Sequence, residues 1–109
     1  MEIKQKEISA SGMKFFVEKE GKEIGRAFLF LINNGLHKRP FGLLEDLFVD
    51  EEYRGKGIGT QLIDAVLKTA REKCYKLICT SRHSRPRVHE LYQKMGFNNH
   101  GLEFRMNFD

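Results

Sequence analysis

The sequence predicts an α/β protein built on a mixed sheet with helices on its faces. Three observations lead there. The first half of the chain reads as period-two strands broken by tight turns. From residue 57 the apolar spacing lengthens to that of an amphipathic helix. A short apolar run then follows that helix. Strand, helix and strand in succession imply a parallel pair joined by a right-handed crossover, whereas the earlier strands form an antiparallel hairpin.

Taken in order, residues 2–8 alternate weakly and suggest an edge strand. Ser9-Ala10-Ser11-Gly12 reads as a turn. Residues 13–18 and 23–32 are strands joined by the tight turn Glu20-Gly21-Lys22, and Asn33-Asn34-Gly35 closes the second. Residues 42–49, Gly-Leu-Leu-Glu-Asp-Leu-Phe-Val, form a third strand whose apolar run is interrupted by two adjacent acids. Over 57–73, Ile58, Leu62, Ile63, Val66 and Ala70 make one stripe, and Gln61, Asp64, Lys68 and Glu72 make the wet face. Residues 75–80 are a short strand. Ser84, Arg85 and Pro86 open a second helix, with Pro in its first turn. Val88, Leu91, Tyr92 and Met95 fall on one face of it, and Gly96 stops it. Phe97 and 102–108 supply one or two final strands. No repeat, linker or low-complexity tract appears, so residues 1–109 read as one domain.

Bulk properties narrow the function. No apolar run reaches the length of a membrane span, and the N-terminus lacks the apolar stretch of a signal peptide. A cytoplasmic protein is the expectation, with no membrane partner. Cys74 and Cys79 form neither a CxxC pair nor a zinc pattern, so they are expected as reduced, partly buried thiols, and no metal is expected. The formal net charge of +4 suits an anionic ligand, either a nucleotide-like cofactor or nucleic acid. Against nucleic acid, the basic residues are interleaved with 15 acids and no RNP-like aromatic motif appears.

The sharpest signal is Arg54-Gly55-Lys56-Gly57-Ile58-Gly59-Thr60, between a strand and a helix. Glycines let a backbone approach a ligand closely. A helix start offers unpaired N–H groups and a positive dipole end. Together they make an anion cradle suited to a pyrophosphate. The spacing is wrong for a dinucleotide fingerprint, because Thr60 stands where its third glycine belongs. It is wrong for a Walker loop, because Lys56 is followed by Gly57. Arg54, Gly57 and Gly59, opening a helix after an acidic turn, do fit R/Q-x-x-G-x-G/A. On these residues the chain resembles the GNAT acetyltransferases. The resemblance runs from about Gly42 to Phe97 and includes Leu91-Tyr92-Gln93-Lys94-Met95-Gly96-Phe97, which is similar to the family's second motif.

The resemblance implies a GNAT-like fold, shortened at the N-terminus, and an enzyme moving an acetyl group from acetyl-CoA to an amine. It implies that the strands at 42–49 and 75–80 part and that the cofactor lies in the gap. Leu47, Phe48 and Val49 would pair with its pantetheine arm. Arg54, Gly55, Lys56, Gly57, Ile58, Gly59 and Thr60 would hold its pyrophosphate. Arg85 stands where relatives often carry an asparagine that touches the arm. Relatives also carry helices between their first strands, a place filled here by Ser9-Ala10-Ser11-Gly12 alone.

The chemistry asks for a base to take a proton from the amine and an acid for the departing thiolate. Tyr92 matches the family's acid tyrosine. Glu45 and Asp46 are the candidate bases, with water as a third source. Strand alternation puts the two acids on opposite faces, so both reach one amine only if a bulge turns one of them. His89, and the cluster Arg82, His83, Arg85 and Arg87, suit capping or solvated roles, or contact with substrate and cofactor. Cys79 has no base beside it in sequence and is a poor nucleophile candidate. The acceptor expected is a small-molecule or peptide primary amine, drawn by Glu45, Asp46, Asp50, Glu51 and Glu52. An open site suggests a homodimer. Two other classes stay open: a non-catalytic CoA-binding domain, and a basic nucleic-acid- or phosphate-binding module.

Overall fold

The computed structural model describes all 109 residues. They fall into two compact units, 1–79 and 80–109. The first unit holds strands β1 (Ser11–Lys19), β2 (Lys22–Ile32) and β3 (Phe41–Val49), a short 3₁₀ turn (Glu51–Tyr53), helix α1 (Ile58–Lys73) and strand β4 (Leu77–Cys79). The second holds helix α2 (Pro86–Lys94).

The strands form one mixed sheet in the order β1-β2-β3-β4. β1 pairs antiparallel with β2, and β2 antiparallel with β3. β3 and β4, on either side of α1, pair parallel. One face of the sheet packs on α1. Ile24, Ala27, Leu29 and Leu44 from the strands meet Leu62, Ile63, Val66 and Ala70 of the helix stripe in the core, with Cys74 beneath them. Gly25 lets the helix start sit close to β2: a Cβ there would lie 3.0 Å from Ile58 Cγ2 and 3.3 Å from Leu62 Cδ1.

The opposite face bears cross-strand rows. Lys14, Phe28 and Glu45 make one row, Phe16, Arg26 and Phe48 another, and Phe30 and Leu43 a third. Parallel to Leu43 lies Ile78 of β4. The Phe28 and Phe30 rings stack at 6.1 Å.

Three expectations fail. Residues 1–10 form no strand, because Ile3 and Ile8, an odd number of residues apart, would lie on opposite faces and give neither face enough to bury. The turn expected at Ser9-Ala10-Ser11-Gly12 is absent: β1 already begins at Ser11 and pairs it with Leu31. Phe97 and 102–108 form no strand: alternation alone gives a segment no pairing partner, and the sheet ends at four. In the second unit, α2 starts with Arg85 as N-cap and Pro86 just inside. It ends at Met95, followed by Gly96 at φ +102°.

Candidate active site

β3 changes character halfway along. β4 pairs with it only at Gly42, Leu43 and Leu44, opposite Leu77, Ile78 and Cys79. Beyond Leu44, β3 runs on to Val49 with no strand on that side. β4 thus covers only the first part of β3, and residues 45–49 have no strand beside them on that side. That is where the sequence expected Leu47, Phe48 and Val49 to meet an amide-bearing ligand.

β3 is irregular on its other side as well. Phe28 pairs with Glu45 and Arg26 with Phe48, so two residues of β3, Asp46 and Leu47, oppose the single Ala27 of β2. This is a β-bulge, which bends a strand and raises its twist. Asp46 absorbs the bend with φ +52°, in the left-handed region.

The bulge also corrects the expectation that the two acids point to opposite faces. Glu45 stands across from Phe28. The Asp46 carboxylate meets Arg26 two residues along β2, with Nε 3.1 Å from Oδ2. Both acids therefore serve the face away from α1. Arg26 also lies over the Phe48 ring at 4.7 Å and approaches Glu23 at 3.6 Å. Lys14 pairs with Glu23 as well. Asp46 and Glu23 are thus partnered, while Glu45 makes no ion pair. Sequence reasoning missed Arg26, since a lone arginine in an alternating strand carries no signal of its own.

After β3 the chain turns sharply. Asp50 accepts from the Glu52 N–H at 3.1 Å and pairs with Lys22 at 3.3 Å. Those bonds, the backbone N–H of Glu52 first and the Lys22 ammonium second, hold its carboxyl below the usual range. Arg54 donates from Nε to the Val49 carbonyl at 3.0 Å, tying the loop to the end of β3. Lys19 and Lys56 lie over the Tyr53 ring, each at 5.3 Å.

The glycine loop then delivers the start of α1. Gly55 and Gly57 take φ +79° and +83°, and a Cβ at either would meet nothing within 4 Å. Gly57 is the N-cap and brings no capping side chain. The first intrahelical bond is Gln61 N–H to the Gly57 carbonyl at 3.0 Å. The N–H groups of Ile58, Gly59 and Thr60 precede it and have no partner within the helix, at the positive end of its dipole. This arrangement fits a pyrophosphate: bare backbone donors, room beside them, and no acid in the first turn. A shallow groove of about 360 Å³ between β1 and α1, lined by Phe15, Val17, Gln61 and Ala65 among others, contains none of these residues.

Cys79 is the last residue of β4 and pairs with Leu44. Burial, and next the Glu45 carboxylate, push its thiol up to about 11. A thiol so disfavoured as thiolate is a poor nucleophile, in line with the expectation. Cys74 is buried and also raised by burial.

In the second unit, Tyr92 packs its ring against Phe97 at 5.4 Å. The Phe97 N–H bonds to the Tyr92 carbonyl at 2.9 Å. The motif Tyr92 to Phe97 is thus one local structure, a helix end closed by Gly96. His89 sets Nε2 2.8 Å from the Arg82 carbonyl, a local tie across the helix start. Arg82, Arg85 and Arg87 are exposed. No cluster of metal-ligating side chains exists, and no helix is long and apolar enough to cross a membrane.

Comparison with known proteins adds a family. Residues 2–97 match the model of the acetyltransferase (GNAT) family. A glucosamine 6-phosphate N-acetyltransferase of Trypanosoma brucei brucei is 40% identical over 62% of this chain and 45% of its own. Human N-acetyltransferase 8 is 31% identical over 94% of this chain and 46% of its own. The chain thus spans about half the length of these curated relatives. A Trypanosoma brucei acetyltransferase of known crystal structure superposes with a TM-score of 0.74 at 30% identity, covering 91% of this chain and 69% of that one.

Proposed function

The chain belongs to the GNAT acetyltransferase family, and from that premise we propose that it is an N-acetyltransferase moving an acetyl group from acetyl-CoA to a primary amine. The observation that carries this reading is the succession of the half-covered β3, the glycine loop and the uncapped N-terminus of α1. The family match runs across both units, which supports reading residues 1–109 as one domain. The absence of a membrane-spanning helix fits action in the cytoplasm.

Acetyl-CoA supplies an acyl group activated as a thioester. The Ile58, Gly59 and Thr60 N–H groups would hold its diphosphate, with Arg54 and Lys56 adding positive charge. The open edge of Leu47, Phe48 and Val49 would hydrogen-bond its arm. Glu45 is the base: it takes a proton from the acceptor ammonium, so that the nitrogen lone pair can form the new C–N bond. Its advantage over Asp46 is that Arg26 already neutralises Asp46. As the C–S bond broke, the Tyr92 hydroxyl would give its proton to the sulfur, a role supported by the family's second motif, and the resulting phenolate would take up the second proton that the new amide nitrogen must lose. Arg85 remains a candidate for contact with the cofactor.

The acceptor proposed is a cationic, fairly unhindered amine on a small molecule or peptide. The Trypanosoma relative, by its name, acetylates an amino sugar phosphate, which supports an amine but does not choose among amines. The test is thiol release from acetyl-CoA with a panel of polyamines, lysine peptides, amino sugars and arylamines. Amine-dependent release with an N-acetylated product is expected. Tight CoA binding with no transfer to any amine would favour a non-catalytic CoA-binding domain instead.

A further inference from the structure

Acids and bases are interleaved along the chain as a whole, but the fold gathers two segments that are nearly free of acids. No acid occurs between Glu23 and Glu45, and none between Glu72 and Glu90. Parts of these segments meet where β3 and β4 begin. The Tyr75 N–H bonds to the Pro40 carbonyl at 3.0 Å, and the Gly42 N–H to the Lys76 carbonyl at 2.8 Å. Arg39 donates from Nη2 to the Arg71 carbonyl at 2.9 Å, which ties the loop before β3 to the last turn of α1. Burial raises the Cys74 thiol, and Arg39 and Lys73 are both near enough to act on it in the other direction. Lys76 lies over the Phe41 and Tyr75 rings at 5.5 and 5.4 Å. Lys38, Arg39, Arg71, Lys73 and Lys76 are all exposed, and Glu72 is the one acid in the stretches that carry them.

The end of α1 accounts for part of this cluster. Arg39 satisfies a terminal carbonyl, and Arg71 and Lys73 sit in the last turn, where the helix dipole favours cations. It does not account for Lys38 and Lys76, nor for the rings set among the charges. His37 and Tyr75 stack at 4.2 Å with 27° between their planes, and both are exposed. Rings in water among lysines and arginines suit a single nucleic-acid strand, whose phosphates meet the cations while its bases stack on the rings. An acidic peptide would use the charges and leave the rings idle.

We propose that this end of the sheet binds a single-stranded nucleic acid, with phosphates on Lys38, Arg39, Arg71, Lys73 and Lys76 and a base stacked on the His37–Tyr75 pair. The surface is separate from the proposed acetyl-CoA site. α1 has 16 residues, so at a rise of 1.5 Å per residue its last turn lies about 24 Å along the axis from the glycine loop. The binding function is additional to acetyl transfer and does not rest on it.

The test is fluorescence anisotropy of a labelled oligouridylate of about 12 nucleotides, within the site sizes of single-strand binders, titrated with the full chain at several salt concentrations. At roughly 0.7 per contact on a single strand, five phosphate contacts predict that log K falls with log salt at a slope of about −3.5. The combined variant Lys38→Gln, Lys73→Gln, Lys76→Gln should reduce the slope to about −1.4 and weaken binding about 100-fold at about 0.1 M salt, with the melting temperature unchanged. His37→Ala should weaken binding about tenfold at the same slope, because stacking releases no counterion. The equally charged control Lys4→Gln, Lys6→Gln, Lys94→Gln should bind as the wild type does, and so should the chain saturated with CoA. Absence of binding at low salt, an equal loss in the control, displacement by CoA, or an equal affinity for oligoglutamate each overturns the proposal. Preference for vesicles of phosphatidylcholine and phosphatidylserine over the oligouridylate also overturns it, and assigns the surface to a membrane.

Discussion

Glu45 and Asp46 are neighbours in sequence and serve the same face of the sheet, but their electrostatics differ. Arg26 neutralises Asp46 and leaves Glu45 without an ionic partner. Glu45→Gln is therefore expected to lower turnover about 10²–10⁴-fold, the range for a lost general base, and to change the acidic limb of the pH–rate profile. Asp46→Asn should cost less, acting only through the bulge. The reverse ranking would hand the base role to Asp46, and two silent variants would leave it to water. Tyr92→Phe should lower kcat by a similar factor while sparing CoA affinity in calorimetry; a wild-type rate would make the tyrosine structural. Cys79 gives a contrasting expectation. Its thiol is raised to about 11 by burial and by Glu45. The native state thus favours the neutral thiol, and this preference stabilises fully below the ordinary thiol pKa. It is lost as pH rises from about 8.5 towards the folded value. Cys79→Ser should retain turnover, and the native thiol should resist alkylation near neutral pH.

Among the elements, the connection from β3 to α1 does most to shape the site. Asp50 caps its turn, and the Glu52 N–H and Lys22 hold the carboxyl below its usual range. A depressed carboxyl stabilises fully above the ordinary aspartate pKa of about 3.9 and is lost as pH falls below it. Asp50→Asn should lower the melting temperature at neutral pH, with the difference shrinking in acid; a difference that persists in acid would contradict the assignment. Gly57→Trp should abolish CoA binding, both by filling the open space beside the N–H groups and by straining φ +83°. Much of this connection was legible in the sequence, because glycine spacing and helical periodicity are local signals. The bulge at Asp46 was not. It depends on register between β2 and β3, and so reversed the facing of two acids that alternation alone had separated. The tail at 102–108 shows the opposite limit: its alternation predicted a strand and the segment forms none, because a strand also needs an edge to pair with and no pattern within the segment supplies one.

At the scale of the molecule, the family was written in two motifs, the loop from Arg54 to Thr60 and the stretch from Leu91 to Phe97, and the family match covers both. The β1–β2 hairpin and the crossover through α1 follow from elements read in sequence, with boundaries shifted by a residue or two. The acceptor was less legible, because charge alone gave little guidance. Of the acids that suggested a cationic amine, Asp46 and Asp50 are already paired with basic residues, so the attraction rests mainly on Glu45 and on Glu51 and Glu52 at the turn. Rates with cationic amines should fall as salt rises; rates indifferent to salt would remove the electrostatic argument and leave acetyl transfer standing. The measurement that bears most directly on the central claim is thiol release from acetyl-CoA by the wild-type chain and by Gly57→Trp, with and without amine. The account predicts amine-dependent release and an N-acetylated product from the wild type, and neither from the variant. Release that ignores the amine, or a Gly57→Trp variant as active as the wild type, would contradict it.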